Sequence, residues 1–311
     1  MDMSELPYTF TKNQIEVFRE ICLGSRTVSD IVAASGRSSK TIYRITEALT
    51  NAGIISRSGG RGAKFLPGTD LRSTALKRYI LSNEHPIDVI VGSRLLLLLS
   101  ISQKTKNIDR IALETKLKRD TIKVHAWNLK NYGIIIQDGS NLRISPTDVF
   151  MTQFLQDFSK GVNLKIMEDR TPVGIMLWSG GLECLFSTQH LEDSNGIRKT
   201  GISAMANYGI PFVSETVYYH YSNWNSELKP ENIAIHNLLS NPFSSRVVSY
   251  SILLLKKTGF DKVYLLEQSR YTGIENLVKD MISILSGRVA KNRFMPNLAD
   301  LEDLYVQYGV S

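Results

Sequence analysis

Apolar positions along this chain fall into short blocks at helical spacing, and the same series of blocks occurs twice. Ile15, Phe18, Ile21 and Cys22 recur at i, i+3, i+6 and i+7, which predicts a helix that Thr11 can cap. Gly24-Ser25-Arg26-Thr27 interrupts it, and Val28 to Ser35 predicts a short second helix ended by Gly36. Ile42, Ile45, Leu49 and Ala52 place a third helix over Ser38 to Gly53. Ile54 and Ile55 then begin a strand, Ser58-Gly59-Gly60-Arg61-Gly62 turns it, and Ala63 to Leu66 returns. Leu71, Leu76, Tyr79 and Ile80 predict a linking helix over 71–81, which Asn83-Glu84-His85-Pro86 ends.

The pattern then restarts at an offset of 80 residues, Thr41 standing against Thr121. Ile15, Phe18 and Ile21 meet Leu95, Leu98 and Ile101, and Val28 and Ile31 meet Ile108 and Ile111. Ile42, Leu49, Asn51, Gly53, Ile54 and Ile55 meet Ile122, Leu129, Asn131, Gly133, Ile134 and Ile135 without a gap. A self-match of this length marks a duplicated structural unit. The second hairpin turns at Asp138-Gly139-Ser140-Asn141 and returns through Leu142 to Pro146.

Charge adds direction to this picture. Residues 1–150 hold 22 Lys/Arg and 14 Asp/Glu, whereas residues 151–311 hold 15 and 16. The net charge of +7 therefore belongs to the N-terminal half, as expected of a polyanion-binding half joined to a neutral one. Between Gly36 and Arg78 stand nine Lys/Arg against only Glu47 and Asp70. The two cysteines, Cys22 and Cys184, are far apart among apolar neighbours and predict core residues, not a disulfide or a zinc site. The N-terminus lacks the basic and apolar regions of a signal peptide, and the apolar run Leu95 to Leu99 is too short to span a bilayer. A soluble, cytoplasmic protein without a membrane partner is the expectation.

Three helices followed by a hairpin with a basic, glycine-rich tip is the order of a winged helix. The segment Val28 to Leu66 resembles the MarR-, ArsR- and IclR-like superfamily of winged helix-turn-helix regulators. Leu49-Thr50-Asn51-Ala52-Gly53-Ile54-Ile55-Ser56-Arg57 is similar to their passage from recognition helix into wing. A recognition helix needs packing on one face and base-edge and phosphate contacts on the other. With Ile42, Ile45 and Leu49 inward, Lys40, Thr41, Tyr43 and Arg44 become the candidates for base edges and flanking phosphates. Ser38 or Ser39 caps the helix and directs its amide donors at a phosphate. Arg57, Arg61 and Lys64 on the wing are expected to reach phosphate or the minor groove. In the second copy Lys118, Arg119, Thr121, Lys123 and Asn128 are expected to be exposed, with Arg143 on a less basic wing. Trp127 is expected to pack on a neighbouring domain, and His125 to be a boundary side chain without a metal partner. The first copy is thus the firmer candidate for DNA reading.

Beyond the repeats, Phe150 to Phe158 predicts a helix and Val173 to Trp178 a buried strand or helix. Ser179-Gly180-Gly181-Leu182-Glu183-Cys184 resembles the phosphate-binding loop of ATP-pyrophosphatases, with Glu183 and Cys184 where that family has Asp and Ser. A turn that caps a helix from Leu182 to Gln189 is the preferred alternative. Arg198 to Pro211, with Thr200-Gly201-Ile202-Ser203-Ala204 and Tyr208-Gly209, resembles the C-terminal domain of AbiEi-type antitoxins, and so does the texture of Ile235 to Thr258. That resemblance implies a mixed α/β domain and a toxin-like protein partner. Val213 to Tyr221 alternates as a strand should, Asp261 to Glu267 predicts another, and helices are expected over Ser245 to Thr258, Ile274 to Ser286 and Leu298 to Tyr308. Glu215, Asp261, Glu267 and Lys262 would have to converge to form a nuclease, with a solvated face the plainer reading. His190, His220 and His236 lack a partner at short spacing.

The expected architecture is mixed α/β. It comprises a winged helix-turn-helix domain over 8–70, a linker helix over 71–86, a second winged helix over 87–148 and an α+β domain over 150–311. The expected function is that of a transcriptional regulator, most simply a repressor, bound to double-stranded DNA as a homodimer. No enzyme activity, cofactor or metal is expected, and the C-terminal domain is left for dimerisation, a protein partner or a small ligand. An antitoxin, or an enzyme acting on nucleic acid or nucleotide through the C-terminal half, is the alternative.

Overall fold

Capping decides where the first helices begin. The computed structural model describes residues 9–60, 62–189, 191, 196–224, 227–288 and 292–310. Helix α1 (Lys12–Leu23) opens with a reciprocal cap, Gln14 N donating to Thr11 Oγ1 and Thr11 N to Gln14 Oε1. Thr27 and Asp30 do the same for α2 (Val28–Ser35). Ser38 caps α3 (Ser39–Asn51), its Oγ accepting from Thr41 N at 3.3 Å. Strand β1 (Ile55–Ser58) pairs antiparallel with β2 (Lys64–Pro67), and Ile54 O accepts from Gly68 N at 2.8 Å to close the hairpin base.

Helix α4 (Leu71–Ser82) follows, capped by Asp70. Expected as a linker, it is built into the interior: Arg72 and Tyr79 are buried, and Tyr79 lies against the rings of Phe150 and Phe154. A 3-10 turn over Ile87–Ile90 leads to α5 (Ser93–Ser100), whose run Leu95 to Leu99 is wholly buried. Then come β3 (Lys106–Asn107), α6 (Ile108–Thr115), α7 (Arg119–Asn131), β4 (Ile135–Asp138) and β5 (Asn141–Ile144), with strand order β3-β5-β4.

The repeat is visible atom by atom. Ile15, Phe18, Ile21, Ile31, Ile42, Leu49, Ile54 and Ile55 are all buried, and so are their eight counterparts 80 positions on. Phe65 N donates to Arg26 O in the first copy, where β5 pairs with Lys106 of β3 in the second. Ile134 O accepts from Ser145 N at 2.8 Å, the same closure as at Ile54, reached through a hairpin three residues shorter.

Helix α8 (Val149–Arg170) extends well past the expected Phe158. The chain divides into two compact units inside it, at 166/167, with residues 180–182 belonging to the first unit.

In the second unit β6 (Ile175–Gly180), β7 (Glu183–Thr188), β8 (Ile197–Lys199) and β9 (Val217–Ser222) form a sheet of order β6-β7-β9-β8. A 3-10 helix over Gly201–Tyr208 separates β8 from β9. Helices α9 (Pro230–Ser240), α10 (Ser245–Thr258), α11 (Lys262–Thr272), α12 (Glu275–Leu285) and α13 (Leu298–Gln307) complete it. Val248, Ile252 and Leu255 of α10 pack with Leu265, Val278, Met281 and Leu301 in its main apolar cluster.

Four expectations are corrected here. The helix expected over Leu182 to Gln189 is the inner strand β7, and Cys184, Leu185 and Phe186 are buried on both of its faces. The strand expected over Asp261 to Glu267 is the start of α11. Alternation would have buried Val263 with Leu265, but Val263 is exposed and Leu265 pairs with Ser269 at helical spacing. The run from Val173 is an edge strand with Ile175 exposed, not a buried one. The strand expected from Val213 begins only at Val217, and Val213 is 93% exposed. The architecture is mixed helix and strand with small antiparallel sheets, and among the described residues no helix is long and apolar enough to cross a membrane.

Candidate nucleic-acid interface

The outer face of α3 is made by what its inner face removes. Ile42, Ile45 and Leu49 are buried, and Thr46 is drawn in with them by a hydrogen bond from its hydroxyl to Ile42 O. Ser38, Ser39, Lys40, Tyr43 and Arg44 are left exposed and Thr41 half-buried, all within the first half of the helix. Next to them β1 exposes Arg57, and β2 exposes Lys64. The register sets Arg57 opposite Phe65 and Ser58 opposite Lys64, so both cations lie at the far end of the hairpin from Ile55. Arg61 lies outside the described residues.

Seven of the nine basic residues of this stretch separate into two groups, Arg61 lying outside the described residues and Lys77 being exposed on α4. Arg37 is tied to Glu16 and Asn13 of α1, Arg72 is buried against Asp70 at 2.5 Å, and Arg78 pairs with Asp157. These three hold the fold. Lys40, Arg44, Arg57 and Lys64 make no ion pair among the described residues, so their charge is available to a polyanion.

The second copy presents a different face. Lys118 precedes α7 without a side-chain cap, and Lys118, Arg119 and Lys123 are exposed, while Thr121 and Asn128 are half-buried. Arg119 pairs with Asp109 at 2.8 Å and Lys123 with Asp120 at 3.5 Å. Arg143 is exposed on β5, opposite Ile136. At the offset of 80, Lys40 becomes Asp120, Arg44 becomes Val124 and Glu47 becomes Trp127. Trp127 does not pack on a neighbour as expected: it is 64% exposed, and Val124 58%. Two more cations, Lys106 and Arg110, are spent on the fully buried carboxylate of Glu114, each at 2.6 Å. His125 is a boundary side chain, as its sequence setting implies. Its Nε2 meets Ser93 Oγ at 2.7 Å, and burial, then the nearby Arg94, pushes its pKa down.

In the second unit, partners distant in sequence meet. His220 Nε2 lies 3.0 Å from Glu183 Oε2, His236 Nδ1 lies 2.7 Å from Thr200 Oγ1, and the two imidazoles stack. All but Glu183 are buried. Glu183 and His220 sit on neighbouring strands, Leu185 being the residue directly opposite His220. That places Glu183 one diagonal step away on the same face. Short-range spacing misses such a pair, and only the strand register would have found it. His190 lies outside the described residues.

The other candidate chemistry does not converge. Glu215 and Glu267 are exposed, and Asp261 is occupied in capping α11. Among the described residues no group of three or more His, Cys, Asp and Glu could hold a metal ion. The Ser179–Cys184 motif is a hairpin turn between β6 and β7, and Gly181 O accepts from Ser159 Oγ at 2.7 Å and Asn163 Nδ2 at 3.3 Å. Gly181 serves close backbone packing, a Cβ there lying 2.8 Å from Leu99 O. Cys184 is fully buried, and burial pushes its thiol far up, while Cys22 is raised to about 11 for the same reason. Cys184 behaves as the small core side chain expected, whereas Cys22 is only half-buried, at the edge of the core.

Comparison with known proteins places part of this chain. Residues 194–310 match the family model described as HVO_2833_C, C-terminal, a span inside the second unit. No curated protein and no solved structure matches the chain.

Proposed function

We propose that this chain is a sequence-specific binder of double-stranded DNA and acts as a transcriptional regulator through operator occupancy. In this reading its two repeats are tandem winged helix-turn-helix domains, and the first of them reads the DNA. One observation carries the reading: Lys40, Arg44, Arg57 and Lys64 are exposed on α3 and its hairpin without ion-pair partners among the described residues. The first half of α3 enters the major groove, with Lys40, Thr41, Tyr43 and Arg44 toward base edges and flanking phosphates. Ser38 and Ser39 stand at a helix N-terminus, where unpaired amides favour a phosphate. Arg57, Lys64 and the glycine-rich tip with Arg61 lie along the adjoining backbone. The second unit, matched over residues 194–310 by a family model, is left to bind a protein partner or a small ligand.

The test is selection of bound sequences from random duplex DNA with the full chain, repeated with Lys40→Ala and Arg44→Ala. A recovered motif that weakens by about 1–3 kcal/mol and loses base preference in either variant supports the reading. Recovery of no motif, or of one indifferent to both substitutions, overturns it.

A further inference from the structure

At about 3.6 residues per turn, Asp120, Val124, Trp127 and Asn131 form the outermost stripe of α7, with Lys123 and Lys130 along one flank. Val124 and Trp127 at its centre are 58% and 64% exposed. In the first copy the matching stripe is Lys40, Arg44, Glu47 and Asn51. The two positions best placed to neutralise phosphate have thus become an acid and an apolar residue. Asp120, whose side chain is 94% exposed and lies 3.5 Å from Lys123, offsets the charge of that lysine, so this stripe is a weaker match to phosphate than its counterpart in the first copy.

We infer that the exposed face of α7 is the docking surface for a second copy of this chain, in an antiparallel, two-fold pairing of α7 with α7. The stripe is complementary to itself in the way an isologous interface requires. A two-fold axis between Val124 and Trp127 seats each Val124 against the second copy's Trp127. The same operation carries Asp120, near the start of one helix, to Lys130 and Asn131 at the end of the other. Lys130 is exposed and makes no ion pair among the described residues. An apolar centre with opposite charges at its two ends fits a reversed copy of itself. The same arrangement in a parallel pairing would set like charges together. Trp is the side chain most often found at the energetic centre of such contacts.

Sedimentation of the full chain over a concentration series measures this directly. Wild type is expected to show a reversible monomer–dimer equilibrium, and Trp127→Ala to weaken it at least about thirtyfold. Asp120→Lys and Lys130→Glu should each weaken the dimer, and the double variant should recover it, because the swap restores the pairing in reversed sense. These side chains are exposed, and a far-UV circular dichroism spectrum matching wild type shows that each variant folds, since loss of the dimer by itself shifts the unfolding temperature. A strictly monomeric wild type overturns the inference. So does a dimer that Trp127→Ala leaves unchanged, or a double charge swap that recovers nothing. A Trp127→Ala loss of DNA affinity in a protein that stays monomeric overturns it in favour of a DNA-facing α7.

Discussion

The imidazole rings of His220 and His236 stack with centroids 4.8 Å apart and planes 24° from parallel. One comes from β9 and the other from α9, and each is anchored by a different hydrogen-bond partner, Glu183 and Thr200. Within this stack the buried His236 resists protonation while the second unit is folded.

Burial, and then the neighbouring His220, hold His236 well below its ordinary value of 6.5, with Glu183 pulling the other way. The unfolded chain takes up a proton near that ordinary value which the folded chain refuses. Stability is therefore complete above about pH 6.5 and falls below it, by up to about 1.4 kcal/mol per pH unit for this group. Thermal unfolding of wild type and His236→Asn across this range checks the prediction. The difference between their stabilities should narrow on acidification, and a difference independent of pH would refute it.

Glu114 is fully buried and holds Lys106 at 2.6 Å, Arg110 at 2.6 Å and Ser100 at 2.7 Å. Removing the carboxylate strands the buried Lys106 ammonium. Glu114→Ala should cost about 3–5 kcal/mol in denaturant unfolding, and Lys106→Met added to Glu114→Leu should recover much of it. A double variant no more stable than Glu114→Ala would show that the ion network contributes more than its own desolvation.

Gly181 has φ of +56°, and a Cβ there would lie 2.8 Å from Leu99 O. Gly59, at φ +84°, has nothing within 4 Å of its Cβ position. Gly59→Ala should therefore cost only the left-handed strain of about 1–2 kcal/mol. Gly181→Ala should cost clearly more, because the obstacle is backbone. Equal midpoint shifts in parallel urea titrations would count against the packing role of this turn.

Arg57 and Lys64 are expected to contact phosphate and not bases. Arg57→Ala and Lys64→Ala, like Arg61→Ala, should weaken all DNA sequences alike and reduce the slope of log K against log salt by about 1 each. Affinity measured at several salt concentrations checks this, and an unchanged slope in all three would remove the hairpin from the interface.

Local chemistry alone settled much of the N-terminal half. Thr11, Ser38 and the glycines placed helix ends, and the 80-residue self-match identified both copies, because caps and apolar period act within a few residues of chain. It also singled out Lys40, Tyr43 and Arg44 as outward-facing, since burying Ile42, Ile45 and Leu49 leaves them no other side. Tertiary structure decided which charges remain available. Arg37, Arg72 and Arg78 look like their neighbours in sequence, yet they are consumed by Glu16, Asp70 and Asp157. It decided that Trp127 faces solvent and that Leu182 to Gln189 adds an inner strand in place of a helix. It also brought Glu183, His220, His236 and Thr200 together. An ion pair, an inner strand and a buried imidazole stack each depend on a partner far along the chain, and no local period encodes where that partner lies.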